Sequence, residues 1–215
     1  MYKVVIFDFD GVILESLDIK KNAFLKIFQD FPEHAEEIAR YHLQNGGVSR
    51  YDKFEYIYTN ILKIPFKKDE SKKLGEIFSN IILDEMQKCP FVIGALEFLE
   101  KYSEISKLYI ASGSPQNELR FIVEKRGLNK FFKGVYGIPA SKTKIIKKIL
   151  ELEKINNKDV LFIGDAMADF EAAESSNIPF IARINNQTPD NPFIDMKLIS
   201  VKDLLELDRI LSRTK

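Results

Sequence analysis

Two carboxylates stand close together near the start of the chain, directly after a short apolar run. Asp8 and Asp10 follow the run Val4–Phe7 and are two positions apart, so an extended backbone points both side chains to the same side. One such carboxylate can attack a phosphorus atom as a nucleophile, and the other can act as general acid and then as general base. We therefore interpret Asp8 as a candidate nucleophile and Asp10 as a candidate acid–base group.

Other polar residues follow later apolar runs in the same way. Ser112 and Gly113 follow one such run, and Asp165 and Asp169 follow another. The Ser112 hydroxyl and the Gly113 amide can hold the oxygens of a phosphoryl group. Clustered carboxylates repel one another unless a cation lies among them, and a set of oxygen ligands suits Mg²⁺. The sequence therefore predicts a magnesium site that Asp165 contacts directly and Asp169 contacts directly or through water.

A lysine completes the predicted site. Lys142, in the stretch IPASKTKII, lies at the start of a predicted helix and on the carboxyl side of the preceding strand. Its ammonium group, together with Mg²⁺, would neutralise the charge that otherwise repels an anionic attacker from a phosphate. Carboxylates, a hydroxyl and an ammonium group in one pocket indicate phosphoryl transfer.

The elements that must position these residues follow from the apolar runs themselves. Short runs typical of strands buried on both faces occur at Val4–Phe7, Leu108–Ala111, Val160–Ile163 and Phe180–Ala182, with weaker candidates at Val135–Ile138 and Leu198–Val201. Segments with helical spacing separate the later runs, and a terminal helix is predicted over Lys202–Leu211. This alternation predicts an α/β fold with a doubly wound parallel sheet. Because parallel strands bind ligands beyond their carboxyl ends, the polar residues would share one crevice.

A helical domain is predicted between the first two strands. The interval from Asp10 to Leu108 is far longer than a crossover connection needs. Within it, apolar residues three and four apart predict helices over Ala23–Phe28, Glu37–Leu43, Tyr51–Leu62 and Ser71–Met86. We predict a core domain of residues 1–14 and 88–215 and a helical cap domain of residues 15–87, which roofs the crevice.

Four short motifs in order carry a resemblance to a known family. They are DFDGV at 8–12, ASGS at 111–114, ASK at 140–142 and GDAMAD at 164–169. With these motifs the sequence resembles, over almost its whole length, the haloacid dehalogenase superfamily of phosphohydrolases. The resemblance is to the branch in which a helical cap is inserted after the first strand of a Rossmann-like sheet.

The resemblance implies a role for each matching residue. Asp8 would form an aspartyl-phosphate, and Mg²⁺ would be held by Asp8, the backbone carbonyl of Asp10 and Asp165. Asp10 indicates phosphoryl chemistry, because the dehalogenases of the superfamily lack an acid at that position. Ser112 would bind phosphate.

The motifs contain two further candidate site residues, a lysine and a second serine. Lys142 would be the residue that clamps the charge, with Lys144 as its rival, since the prolines that often follow this lysine in the family are missing here. Ser114, in the same motif as Ser112, is a further candidate substrate-binding residue.

The cap contains one candidate for substrate recognition. The stretch GVSR, which ends at Arg50, is similar to the specificity loop of β-phosphoglucomutase and its relatives, in which an arginine holds the phosphate that is not transferred. A guanidinium fork suits a carboxylate or a phosphate. The alternative is a surface arginine paired with Asp52 or Glu55.

Composition limits the partners. Acidic and basic residues balance at 32 each, which gives no reason to expect nucleic acid or an anionic membrane as a partner. The first residues lack a basic stretch followed by a long apolar one, so we predict no signal peptide, no membrane span and a cytoplasmic protein. His34 and His42 lack a metal-ligand spacing and are predicted to lie on the surface.

We predict a Mg²⁺-dependent phosphatase that acts, as a monomer or homodimer, on a small phosphorylated metabolite such as a sugar phosphate or a phosphoglycolate-like acid. Two alternatives stay open at this point. One is a phosphosugar mutase of the β-phosphoglucomutase type, and the other is a protein that binds a phosphorylated ligand without turning it over.

Overall fold

A single parallel sheet forms the centre of the protein. A computed structural model describes residues 2–184, 192–193 and 195–213. Its strands are β1 (Val4–Phe7), β2 (Lys107–Pro115), β3 (Phe132–Ile138), β4 (Val160–Gly164), β5 (Phe180–Arg183) and β6 (Ser200–Val201). They are ordered β3-β2-β1-β4-β5-β6, and every pairing is parallel. The predicted doubly wound α/β fold is confirmed.

Helices cover the sheet and fill the interval between its first two strands. The helical insertion contains α1 (Leu17–Ile27), α2 (Ala35–Gln44), α3 (Arg50–Tyr56) and α4 (Lys68–Lys88). The helices of the core are α5 (Ala95–Ser103), α6 (Gln116–Lys125), α7 (Lys142–Glu153), α8 (Met167–Ser175) and α9 (Leu204–Arg213). None of the described helices is long and apolar enough to cross a membrane.

The first strand shows why the sheet is buried on both faces. Along β1, Val5 and Phe7 belong to one apolar cluster and Val4 and Ile6 to the other, as the two-residue period of a strand requires. The first cluster contains residues of α5, α6 and α9 and continues into the helical insertion, whereas the second contains residues of α7 and α8. Burial on both faces explains the unbroken apolar run in the sequence.

Two of the differences between predicted and observed elements have a clear cause in the backbone pairing. The helix predicted over Tyr51–Leu62 is α3 followed by a π-helical turn at Ile57–Ile61, in which the Leu62 amide donates to the Ile57 carbonyl five residues back. The strand predicted over Leu198–Val201 is only the two residues of β6, because only the last two positions of β5 pair with it.

The predicted domain limits, 1–14 with 88–215 for the core and 15–87 for the cap, stay a prediction. Parts of the predicted core, at residues 1, 185–191, 194 and 214–215, lie outside the described residues. Residues 15–87 are called the cap below, and they contain α1, α2, α3 and all but the last residue of α4.

Candidate active site

The switch point of the sheet lies beside β1. The chain winds from β1 outward through β2 and β3 and then returns to β4 on the other side of β1. Ligands of open parallel sheets bind in the crevice that such a reversal leaves beyond the carboxyl ends of the strands. Asp8 is the residue that follows β1 at this point, and its amide donates to the Ile163 carbonyl of β4 at 2.9 Å.

Asp8 is buried at the floor of this crevice. Its Oδ1 accepts a hydrogen bond from the Phe9 amide at 2.7 Å, which fixes the carboxylate orientation. Burial raises the pKa of Asp8 to about 7, against the opposing effect of the Lys142 charge. Because this carboxylate is poorly hydrated, any further cation close to it would stabilise its ionised form.

Lys142 meets Asp8 from α7, which begins at that residue. Ser141 is the N-cap of α7 and accepts the Lys144 amide through its hydroxyl. Lys142 Nζ lies 3.1 Å from Asp8 Oδ2 and 2.5 Å from Asp169 Oδ1. These two carboxylates outweigh burial and raise the Lys142 pKa, so the ammonium stays charged. Lys144 is exposed, and of the two lysines only Lys142 lies in the cluster.

Three carboxylates converge around this lysine. Asp8, Asp165 and Asp169 each offer an oxygen within 4.8 Å of the others. Burial, together with the charges of the other two carboxylates, raises the pKa of Asp165 well above its ordinary value. The close approach depends on Gly11, where a Cβ atom would lie 2.1 Å from Asp165 Oδ2. Two buried carboxylates and one half-buried carboxylate with one ammonium group fit a small divalent cation, because its charge would balance the excess.

The carboxylate of Asp10 lies outside this trio and has its own partners. Its Oδ1 accepts from the Ser16 hydroxyl at 2.7 Å, and its Oδ2 accepts from Lys20 and, at 3.1 Å, from the Ser114 hydroxyl. Burial alone would raise the Asp10 pKa, but the charge of Lys20 and these hydrogen bonds lower it overall. Asp10 is therefore ionised in this arrangement. Its backbone carbonyl as a metal ligand stays a prediction.

Lys20 was not predicted from the sequence. Its Nζ also donates to the Ser114 hydroxyl at 2.8 Å, so it joins α1 of the cap to the ends of β1 and β2. Ser16 and Lys20 are four residues apart, and the Lys20 amide donates to the Ser16 carbonyl. That helical spacing after Asp10 is the signal in the sequence that indicates a shared face.

The end of β2 supplies the hydroxyl predicted from the sequence. Ser112 is buried, and its hydroxyl accepts the Ser114 amide at 3.1 Å. Next to it, a Cβ atom on Gly113 would lie 2.3 Å from the Gly47 carbonyl oxygen of the cap. Gly47 itself has a φ of +73°, and a Cβ there would lie 2.9 Å from Lys142 Nζ. Two glycines thus let the cap loop approach the floor of the site.

Arg50 lines the cavity above Asp8 but is paired with an acid of the core domain, and its role in substrate binding stays a prediction. It is only 5% exposed, and its guanidinium donates to both carboxylate oxygens of Glu118 in α6 and to the Ser79 hydroxyl at 3.0 Å. It also stacks over Phe78, 4.3 Å from the ring centre. The expected surface pairing with Asp52 or Glu55 is wrong, because α3 turns this residue towards the core domain.

A cavity of about 220 Å³ lies between cap and core, with Asp8 and Asp165 in its floor. His42 and Lys53 line the cavity from the cap. The prediction that His42 lies on the surface is wrong, because this face of α2 packs its ring against Phe24, with 4.5 Å between ring centres. The signal in the sequence was the spacing of four residues between His42 and the buried Ile38.

Fold and site together define a class: α/β proteins with an aspartate, a lysine and an acidic cluster at the carboxyl edge of a parallel sheet, beneath a helical insertion. The family model of haloacid dehalogenase-like hydrolases matches residues 5–183. The chain belongs to this family, and the resemblance seen in the four motifs is confirmed.

Solved structures share the fold over nearly the whole chain. A predicted phosphoglycolate phosphatase from Haemophilus somnus aligns with a TM-score of 0.77 at 15% identity, covering 98% of both chains. A Bacillus subtilis hydrolase of the family bound to magnesium aligns with a TM-score of 0.71 at 18% identity, covering 98% of this chain and 99% of that one. CbbY from Rhodobacter sphaeroides in complex with phosphate aligns with a TM-score of 0.75 at 14% identity, covering 96% of both chains. No curated protein sequence matched the chain.

Proposed function

We propose that the protein is a Mg²⁺-dependent phosphatase that hydrolyses a small phosphorylated metabolite through an aspartyl-phosphate on Asp8. One observation carries the proposal: the buried Asp8 carboxylate has Lys142 Nζ 3.1 Å away and two further carboxylates around it. A purely structural site has little reason to bury this much charge, because each buried ion carries a desolvation cost. Family membership and the resemblance to proteins described as phosphatases support it.

In the first half of the reaction, an Asp8 oxygen attacks the phosphorus atom and the bond from phosphorus to the leaving oxygen breaks. Lys142 stabilises the negative charge shared by Asp8 and the phosphoryl oxygens. The Ser112 hydroxyl holds one of those oxygens. The leaving oxygen takes a proton from Asp10, which must first gain one, since Lys20 keeps it ionised in the present arrangement.

In the second half, a water molecule attacks the same phosphorus atom on the aspartyl-phosphate. The ionised Asp10 accepts a proton from this water as general base. The bond between phosphorus and the Asp8 oxygen breaks, which releases inorganic phosphate and restores the Asp8 carboxylate. Asp10 ends protonated and is then ready to act as the acid in the next cycle.

Asp8, Asp165 and Asp169 are the residues that would hold Mg²⁺, with the Asp10 carbonyl as a further ligand that the family resemblance implies. When bound, the ion would neutralise charge between the attacking carboxylate and the phosphoryl oxygens. Oxygen ligands alone, close together, are the set that this ion prefers.

Replacing Asp8 with Asn tests the proposal. We expect phosphate release from phosphomonoesters in the presence of Mg²⁺ to fall by about 10³-fold or more, because the amide is not a nucleophile. Asp18→Asn is the matched control, since Asp18 lies on α1 with a half-exposed side chain that pairs only with Lys21 among the described residues. Equal activity of the two variants would refute the role of Asp8.

The mutase alternative is tested with the same protein. We expect free phosphate from a hexose 1-phosphate or from a short phosphorylated acid, and isomerisation of the hexose phosphate without phosphate release would favour the mutase. Binding of phosphorylated ligands without turnover would favour a binding protein. The cytoplasmic location and the monomer or homodimer stay predictions from the sequence.

A further inference from the structure

The cap holds a buried lysine that has no acidic partner among the residues the structure describes. Lys53 is 3% exposed, and the hydrogen-bond partners of its Nζ among the described residues are both in His42: Nδ1 at 3.3 Å and the backbone carbonyl at 3.0 Å. The Phe24 ring centre is 5.8 Å away. An ammonium group carries three N–H donors, so two are used within the cap and one remains.

His42 does not compensate this charge. Burial, and then the nearby lysine charges, lower the His42 pKa well below its ordinary value, so the ring is neutral and accepts from Lys53. Burial also lowers the pKa of Lys53 to about 7, which reflects how poorly the cation is solvated. Asp165 and Asp10 attract the Lys53 charge, but neither forms an ion pair with it among the described residues, so an anionic ligand in direct contact would stabilise the protonated lysine.

Arg50 provides the contrast within the same helix. Lys53 and Arg50 are three residues apart on α3, and both line the cavity above Asp8. The Arg50 charge is already neutralised by both oxygens of Glu118, an acid of the core domain. Of these two cations of α3, only Lys53 therefore lacks a fixed counter-ion in the described part of the chain.

We propose that Lys53 is the specificity-determining residue of the cap and binds a compact anionic group, a carboxylate or a second phosphate, at the end of the substrate away from the transferred phosphoryl group. The Arg50–Glu118 pair then holds cap to core and does not bind substrate. This inference rests on the proposed function. A cavity of about 220 Å³ with Asp8 in the floor and Lys53 in its wall suits a short molecule with two charged ends.

The test measures binding of phosphonates, which the enzyme cannot hydrolyse, by calorimetry with Mg²⁺ present. Three probes share the phosphonate and differ at the other end: 3-phosphonopropionate carries a carboxylate, 1,2-ethanediylbisphosphonate a second phosphonate, and 3-hydroxypropylphosphonate a neutral hydroxyl. We expect the wild-type protein to bind one or both anionic probes about 10- to 100-fold more tightly than the neutral one, as a charge-assisted hydrogen bond allows. The anionic probe that binds more tightly identifies whether Lys53 binds a carboxylate or a second phosphate. Equal binding of all three would overturn the inference.

Variants assign the preference to one residue. Lys53→Met keeps the chain length without the charge, and we expect it to lose the 10- to 100-fold preference while binding the neutral probe within about twofold of wild type. Lys63→Met, an exposed cap lysine, is the matched control and should keep the preference. A Lys53→Met variant that keeps the preference, or Arg50→Met removing it while Lys53→Met does not, would overturn the inference.

Two further readouts separate the possible failures. Lys53→Met should melt at or above the wild-type temperature, because it removes an unpaired buried charge; a fall of several degrees would mark Lys53 as structural and overturn the inference. If the wild-type protein shows the binding preference but hydrolyses no phosphomonoester, the proposed function is wrong and the inference about Lys53 is supported. If it hydrolyses phosphomonoesters but shows no binding preference, the inference about Lys53 is wrong and the proposed function is supported.

Discussion

The contact between Lys142 and Asp8 gives the sharpest prediction, because a neighbouring lysine serves as its control. Replacing Lys142 with Met leaves the carboxylates of Asp8 and Asp169 buried without their shared cation. At 3.1 Å and an effective dielectric constant of about 20, the attraction to Asp8 alone is about 5 kcal/mol. Desolvation of the ions offsets part of this, and removing one partner of a buried pair typically costs about 3–5 kcal/mol of stability.

The expected result has a thermal and a kinetic part. For a chain of this size each kcal/mol shifts the melting temperature by about 2–4 °C, so Lys142→Met should melt roughly 6–20 °C lower than the wild type at pH 8. The rate of phosphate release should fall by about 10²–10³-fold, as when one charge-stabilising donor is lost from an active site. Lys144→Met changes an exposed lysine two residues later and should match the wild type in both assays.

The pH dependence of the melting temperature checks the cause of the loss. Because the pKa of Asp8 lies above its unfolded value, protonation at low pH removes the charge that Lys142 compensates. The difference in melting temperature between Lys142→Met and wild type should therefore shrink as the pH falls from 8 to 5. A constant difference, or a Lys142→Met variant as stable and active as Lys144→Met, would refute the reasoning.

Three further predictions concern the metal, the acid–base residue and the cap. Mg²⁺ should raise the melting temperature more at pH 8 than at pH 5, because Asp8 is protonated at the lower pH; an equal shift would argue against metal binding there. Lys20→Met should move the basic limb of the kcat/KM profile to higher pH, because the first half of the reaction needs a protonated Asp10 and the variant removes the charge that lowers the Asp10 pKa; an unmoved limb would contradict this. Glu118→Gln should lower stability in urea by about 3–5 kcal/mol, and adding Arg50→Met should restore part of it; no restoration would show that the pair is not coupled.

Residues at strand ends were predictable because a parallel sheet fixes where they meet. Asp8, Ser112 and Asp165 each follow an apolar run, and in a sheet of this topology the carboxyl ends of those strands must share one edge. Lys142 was predictable for a similar reason, since it begins the helix that follows β3. No knowledge of how the cap docks was needed for any of these positions.

Residues whose role depends on docking of the cap were not predictable in the same way. Glu118 is 68 residues from Arg50 in the chain, and no local pattern links an acid on α6 to an arginine on α3. Lys53 belongs to a helix whose sequence has charged residues on several sides, so its burial depends on packing within the cap, where it contacts His42 of α2 and lies over Phe24 of α1. The lack of a metal-ligand spacing led to the prediction that His42 lies on the surface, but that spacing says nothing about burial, which the four-residue distance from Ile38 indicates.

The floor of the site has an excess of negative charge and the roof an excess of positive charge. This predicts that the metal ion binds before the anionic ligand. The trio of Asp8, Asp165 and Asp169 with Lys142 has a formal excess of two negative charges, whereas Lys53, when protonated, places a positive charge in the roof. An anionic ligand therefore meets repulsion at the floor until a divalent cation is bound there. Mg²⁺ should tighten 3-phosphonopropionate binding about 5- to 150-fold, and by linkage the phosphonate should tighten Mg²⁺ binding by the same factor. Calorimetric titrations in both orders measure the two factors, and phosphonate affinity that is unaffected by Mg²⁺ would contradict the assignment of the floor to the metal.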